Sequence, residues 1–87
     1  MSGEKRSLPE RRWVFVLEMA AGGDLLLRAL SPFPVQGADV TRVDLQTEGD
    51  QARLEIETGG LPAQRAEHLQ SRLRALAGVR SVACGWR

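Results

Sequence analysis

A histidine, a cysteine, a pair of glutamates and a glycine corner are the residues whose chemistry comes first. His68, the only histidine, has no cluster of Cys, Asp or Glu around it in sequence, whereas a metal site needs three or four ligands. It shares helical spacing with Arg65 and Arg72, the pattern of a solvated face or of an anion patch. Cys84, the only cysteine, alternates with apolar residues and reads as a small buried hydrophobe. A cysteine nucleophile needs a base and an electropositive setting, and His68 alone does not supply them. Glu55 and Glu57 are two apart on a strand and share a face, as a general acid and base would, but an open sheet face is the usual home for such charges. No catalytic constellation emerges. The corner Gly22-Gly23-Asp24 remains. Its glycines free the backbone from Cβ sterics, and a helix beginning there exposes amides that can hold a carboxylate. Asp24 can itself cap those amides or accept an ammonium group.

The elements that would hold this corner are legible from periodicity. WVFVLEM, from Trp13 to Met19, is apolar on both faces, which predicts a central strand with Trp13, Phe15, Leu17 and Met19 on one side. Leu25, Leu26, Ala29, Leu30 and Phe33 recur at helical spacing over about Leu25 to Val35. Pro32 and Pro34 fall inside that span, and an interior proline costs about 3 kcal/mol. Either the helix breaks at Leu30, with Ser31 capping a second turn that starts at Pro32, or it bends and continues. Gly37 ends it. Thr41, Val43 and Leu45 then alternate with Arg42 and Asp44, the pattern of a half-buried strand.

Gly49-Asp50 is a two-residue hairpin turn. Counting outward sets Leu45 opposite Leu54, Val43 opposite Ile56, Arg42 opposite Glu57 and Asp44 opposite Glu55, the last a like-charge pair. After Gly59, Gly60 and Pro62, a helix is predicted over Ala63 to Ala77, with Ala66, Leu69, Leu73 and Leu76 on its apolar stripe and Gly78 as its stop. Val79 to Trp86 is the last strand.

The order βαββαβ predicts an α+β, ferredoxin-like sandwich: a four-stranded antiparallel sheet with two helices on one face. The last strand then runs antiparallel to the first, pairing Trp13 with Trp86, Phe15 with Cys84 and Leu17 with Val82. Residues 1–10 are polar and predicted to be a loose tail. Residues 11–87 form the one domain that this length allows.

Composition excludes several classes. The net charge is +1 and the arginines are scattered, so neither nucleic acid nor a membrane surface is indicated. One cysteine rules out an internal disulfide framework. No apolar run approaches the ~20 residues of a membrane span, and the polar start lacks the core of a signal peptide. A cytoplasmic protein without cofactor or metal is the expectation. A domain this small buries only roughly 60% of its unfolded surface, so a partner chain would steady it. An RNA-binding sheet of this topology needs outward aromatics, but the outward positions here are Val14, Val16, Arg53 and Glu55. A copper carrier needs Cys-x-x-Cys where this chain has AAGGD.

The βαββαβ order, the segment LLLRALSPFPVQGADVTRVDLQ and the closing LRALAGVRSVACGW resemble an ACT domain. The nearest style is the free-standing small regulatory subunit of acetolactate synthase. The resemblance spans about residues 12–87. It implies a non-enzymatic regulatory module in which two chains pair side by side into one eight-stranded sheet. A small amino acid would bind at their interface and act allosterically on an associated biosynthetic enzyme. The loop after the first strand and the start of the partner's second strand would hold the ligand. Position by position this implicates Gly22, Gly23, Asp24 and Leu25, together with Gln36, Gly37, Ala38 and Asp39. The family's usual Asn or Asp followed by Pro-Gly is replaced here by Ala21-Gly22-Gly23-Asp24. Two other classes stand beside this one: a ligand-free interaction subunit of the same fold, and an enzyme using Cys84 or His68.

Overall fold

In the computed structural model, which describes residues 12–86, the chain runs β1 (Trp13–Ala20), α1 (Gly23–Leu30), α2 (Pro32–Val35), β2 (Asp39–Glu48), β3 (Gln51–Gly59), α3 (Ala63–Arg74) and β4 (Val79–Trp86). The expected tail, residues 1–10, lies outside the described residues. The sheet order is β2-β3-β1-β4, all antiparallel, with β1 and β3 in the middle. This is the ferredoxin-like sandwich.

Alternation decides which face is covered. Trp13, Phe15, Leu17 and Met19 of β1 and Ala52, Leu54, Ile56 and Thr58 of β3 are all buried, while their neighbours in sequence are not. Against them pack Leu25 and Ala29 of α1, Phe33 of α2, and Ala66, Leu69 and Leu73 of α3. Phe15 and Phe33 meet edge to face, with ring centroids 5.2 Å apart; such pairs add about 0.5–1.5 kcal/mol beyond their buried area. The Trp13 indole donates to the Leu61 carbonyl at 2.7 Å, tying the first strand to the loop that enters α3.

The registers are those predicted. Trp13, Phe15 and Leu17 face Trp86, Cys84 and Val82. Arg42, Val43, Asp44 and Leu45 face Glu57, Ile56, Glu55 and Leu54. Gly49 has φ 62 and Asp50 does not have positive φ, so the turn carries glycine at its first central position, the II′ arrangement.

Four expectations are corrected. The first helix breaks after Leu30, and Pro32 opens α2, but Ser31 stays helical at φ −62 and makes no side-chain cap. Its hydroxyl donates back to the Arg28 carbonyl at 3.2 Å instead. The last helix ends at Arg74 rather than Ala77, because the 75–78 segment turns early so that Val79 can donate to the Leu76 carbonyl at 3.2 Å. Strand β2 is not half-buried: Val43 is 43% and Leu45 39% exposed. As an edge strand it lies outside the cover that the helices give β1 and β3. A bulge between Val40 and Arg42 also places two residues, Thr41 and Arg42, against Glu57. The alternation therefore restarts there, and Val40, opposite Thr58, rejoins the apolar side in place of Thr41.

Candidate functional site

The corner after β1 is fixed from below by two backbone bonds. The Ala20 amide donates to the Gly78 carbonyl and the Ala21 amide to the Asp50 carbonyl, both at 2.9 Å. The end of β1 is thereby held between the loop before β4 and the hairpin turn. Gly22 takes φ 148, a value side chains rarely adopt, and its carbonyl accepts from Leu26 at 3.2 Å to start α1. No side chain caps this terminus. The first turn, Gly23 to Leu25, therefore presents amides with no partner inside the helix.

Asp24, expected to cap those amides or accept an ammonium, does not cap them: it is the second residue of the helix, and its carboxylate pairs with Arg28 at 2.9 Å. Residues four apart stack on one helical face, and in water such a pair is worth about 0.3–0.5 kcal/mol. The contact is a weak, exposed tether that leaves the carboxylate accessible. Leu25 sends its side chain into the core, so only its backbone can serve the corner. Gly22 and Gly23 have open space where a side chain would begin.

Gln36, Gly37, Ala38 and Asp39 close α2 and open β2. The Gln36 amide folds back onto the Pro32 and Phe33 carbonyls at 3.2 and 3.1 Å, Gly37 follows at φ 79, and Ala38 donates to Phe33 at 3.0 Å. The first group lies at the hairpin end of the sheet, where Ala21 is bonded to Asp50, whereas Asp39 faces Gly59 at the other end. A single chain therefore does not bring the two groups together; a second chain would have to.

Of three clefts that open among the described residues, none is lined by Gly22, Gly23, Asp24 or Leu25. The largest of these three, about 800 Å³, lies between the end of α2 and α3 and is lined by Gln36, Arg65, His68 and Ser71 among others. Arg65 reaches across it to donate to the Gln36 carbonyl at 3.1 Å. Of the three basic positions predicted to align, Arg65 and His68 line this cleft and Arg72 does not. Their spacing announced the shared face; the bond to Gln36, from a distant element, had no signal in the sequence. A second cleft, about 530 Å³, lies at the hairpin end, where Arg53 approaches Glu18 at 3.9 Å.

Cys84 is half-buried, and burial pushes its thiol above the ordinary value of 9.0. That opposes thiolate chemistry. Glu57 lies 3.9 Å from Arg12 and opposite Arg42, held in a charge ladder on the open face of the sheet. Among the described residues no group of three or more His, Cys, Asp or Glu is placed to hold a metal, and no helix is long and apolar enough to cross a membrane.

No family model and no curated protein matches this sequence. Solved structures do match its fold. The ACT domain of the GTP pyrophosphokinase of Chlorobium tepidum superposes with a TM-score of 0.77 at 9% identity, over 88% of this chain and 100% of that one. The C-terminal domain of the MgtC protein from Mycobacterium tuberculosis also gives 0.77, at 12% identity over 95% and 94% of the two chains. A formyltetrahydrofolate deformylase from Pseudomonas putida gives 0.51 at 16% identity, with 86% of this chain against 28% of that larger one. The chain has the ferredoxin-like fold found in ACT domains.

Proposed function

We propose that this chain is a non-catalytic regulatory module of the ACT type, resembling the free-standing small subunit of acetolactate synthase. Two copies bind a small amino acid between them and bias an associated biosynthetic enzyme. The observation that carries this reading is the uncapped start of α1 at Gly22-Gly23-Asp24. There, unpartnered amides suit a carboxylate, and the exposed Asp24 carboxylate suits an ammonium a short distance away. Gln36 to Asp39 of the second copy would close the other side, since the chain's own copy of that segment is at the wrong end. Ligand and dimer would then be coupled: an amino acid that contacts both chains favours the arrangement that brings them together.

Substitution at Gly23 tests the site. Its backbone is not in the left-handed region, and a Cβ there meets nothing within 4 Å. Gly23→Leu should fold and dimerise as before while losing amino-acid binding. Unchanged binding would place the ligand elsewhere. A second reading is a ligand-free interaction subunit of the same fold. Its signature is a dimer that responds to none of the twenty amino acids.

A further inference from the structure

The sheet has two outer edges, β2 and β4, and the second of them is obstructed. Backbone direction shows where its polar groups go. The Ala21 amide bonds to Asp50 on the β3 side of β1, and the Ala20 amide to Gly78 on the β4 side. Alternation along β1 then turns the amides and carbonyls of Glu18, Val16 and Val14 toward β4. Their partners there are Ser81, Ala83 and Gly85. Val82 and Cys84 between them, with Trp86 after them, turn their own amides and carbonyls away from β1, toward the outside of the sheet.

An outer row of this kind is a template for another strand. The side chains beside it are apolar. Val82, Cys84 and Trp86 share the helix-facing side, and Trp86 is 57% exposed. Neither lysine nor proline interrupts VRSVACGW. By composition alone this edge would attract a second chain.

Two features act against that. Ser81 faces Glu18 and Val79 faces Met19, so Arg80 is an extra residue in the ladder. Such a bulge interrupts the pairing before Ser81 and increases the local twist. Further along, α3 packs against β4, and the side-chain amide of Gln70 donates to the Val82 carbonyl at 3.3 Å. Gln70 is half-buried and follows Leu69, which is in the core, so the helix holds its side chain over the strand. The acceptor is the first outward carbonyl beyond Ser81. A strand arriving along β4 needs that carbonyl for its own amide and finds it taken. Past Val82 only Cys84 and Trp86 of the described strand face outward, which is little for an incoming strand to hold.

We propose that Gln70 closes the β4 edge, and that removing its amide donor turns β4 into a surface for a second copy of this chain. The two strands then run antiparallel and are centred on Cys84, the middle of the outward set, so that Val82 of each chain lies opposite the partner's Trp86. The proposal stands apart from amino-acid binding and from any pairing of chains elsewhere on the sheet.

Gln70→Met in the full chain tests it. Methionine keeps the length of the side chain and removes the donor. Each pair of chains loses two caps, so self-association measured by sedimentation should tighten by about tenfold or more. A short bifunctional maleimide should join Cys84 to its own copy in the variant and not in the unsubstituted chain. Gln70→Lys, which keeps an N–H donor, should sediment as the unsubstituted chain does. Should Gln70→Met not fold, Gln70→Ala makes the same test with the best helix former. A folded variant without the donor that sediments like the unsubstituted chain overturns the proposal. So does equal cross-linking of Cys84 in the unsubstituted chain, because the edge would then already be open. Tighter association without linkage at Cys84 overturns the choice of edge.

Discussion

The Thr58 hydroxyl is fully buried opposite Trp13 and makes no hydrogen bond. A buried polar group without a partner costs about 1–3 kcal/mol relative to one that is satisfied. Valine has the same shape and no such group. Thr58→Val is expected to raise the unfolding free energy by about 1 kcal/mol, read from urea denaturation with an unchanged slope. At Cys84 the sign of the pH dependence follows from burial. The folded chain keeps its thiol proton to higher pH than the unfolded chain does. The stability this confers is intact below pH 9.0 and falls as pH rises from there through the folded value. Cys84→Ala should flatten that alkaline fall, and alkylation of Cys84 near neutral pH should be slower than that of an unfolded cysteine. The burial of Cys84 was legible in the sequence; the unmet hydroxyl of Thr58 was not. Alternation placed Cys84 on the covered side, whereas Thr58 looked like any strand threonine, because only three-dimensional packing decides whether a hydroxyl finds a partner.

Among elements, the hairpin was the most legible. Turn chemistry at Gly49-Asp50 and a period of two fix the register with no reference to the rest of the chain. The pairing of Trp13 with Trp86 was equally readable once the topology was chosen. The bulge at Val40 and Arg42 was not, since an inserted residue breaks no composition rule. Nor was Asp24's preference for Arg28 over the helix terminus, because both partners lie within reach and differ little in energy. The junction of α1 with the loop before β4 depends on Gly78, which has φ 95. A Cβ there would come within 2.9 Å of Leu25 Cδ2. Gly78→Ala combines backbone strain with overpacking and should destabilise the fold by about 2–4 kcal/mol in thermal or chemical unfolding. Because Leu25 lies beneath the glycine corner, the same change should disturb any ligand held above it.

For the whole molecule, the sandwich follows from the order of its elements, but half of the candidate site does not. Gly22 to Leu25 and Gln36 to Asp39 sit at opposite ends of the sheet of one protomer, the first beside Asp50 of the hairpin turn and the second opposite Gly59. In the proposed dimer the two segments would meet only across the two-fold axis, which no periodicity within one chain announces. The account therefore predicts that binding and dimerisation are a single linked equilibrium. Calorimetric titration of each of the twenty amino acids into the full chain, at concentrations that populate the dimer, measures this directly. One small amino acid should bind and, at a hundredfold excess over its Kd, add about 2.7 kcal/mol to stability. Gly23→Leu should abolish that heat and leave the dimer intact. Heat from none of the twenty, in a chain that is folded and paired, would contradict it.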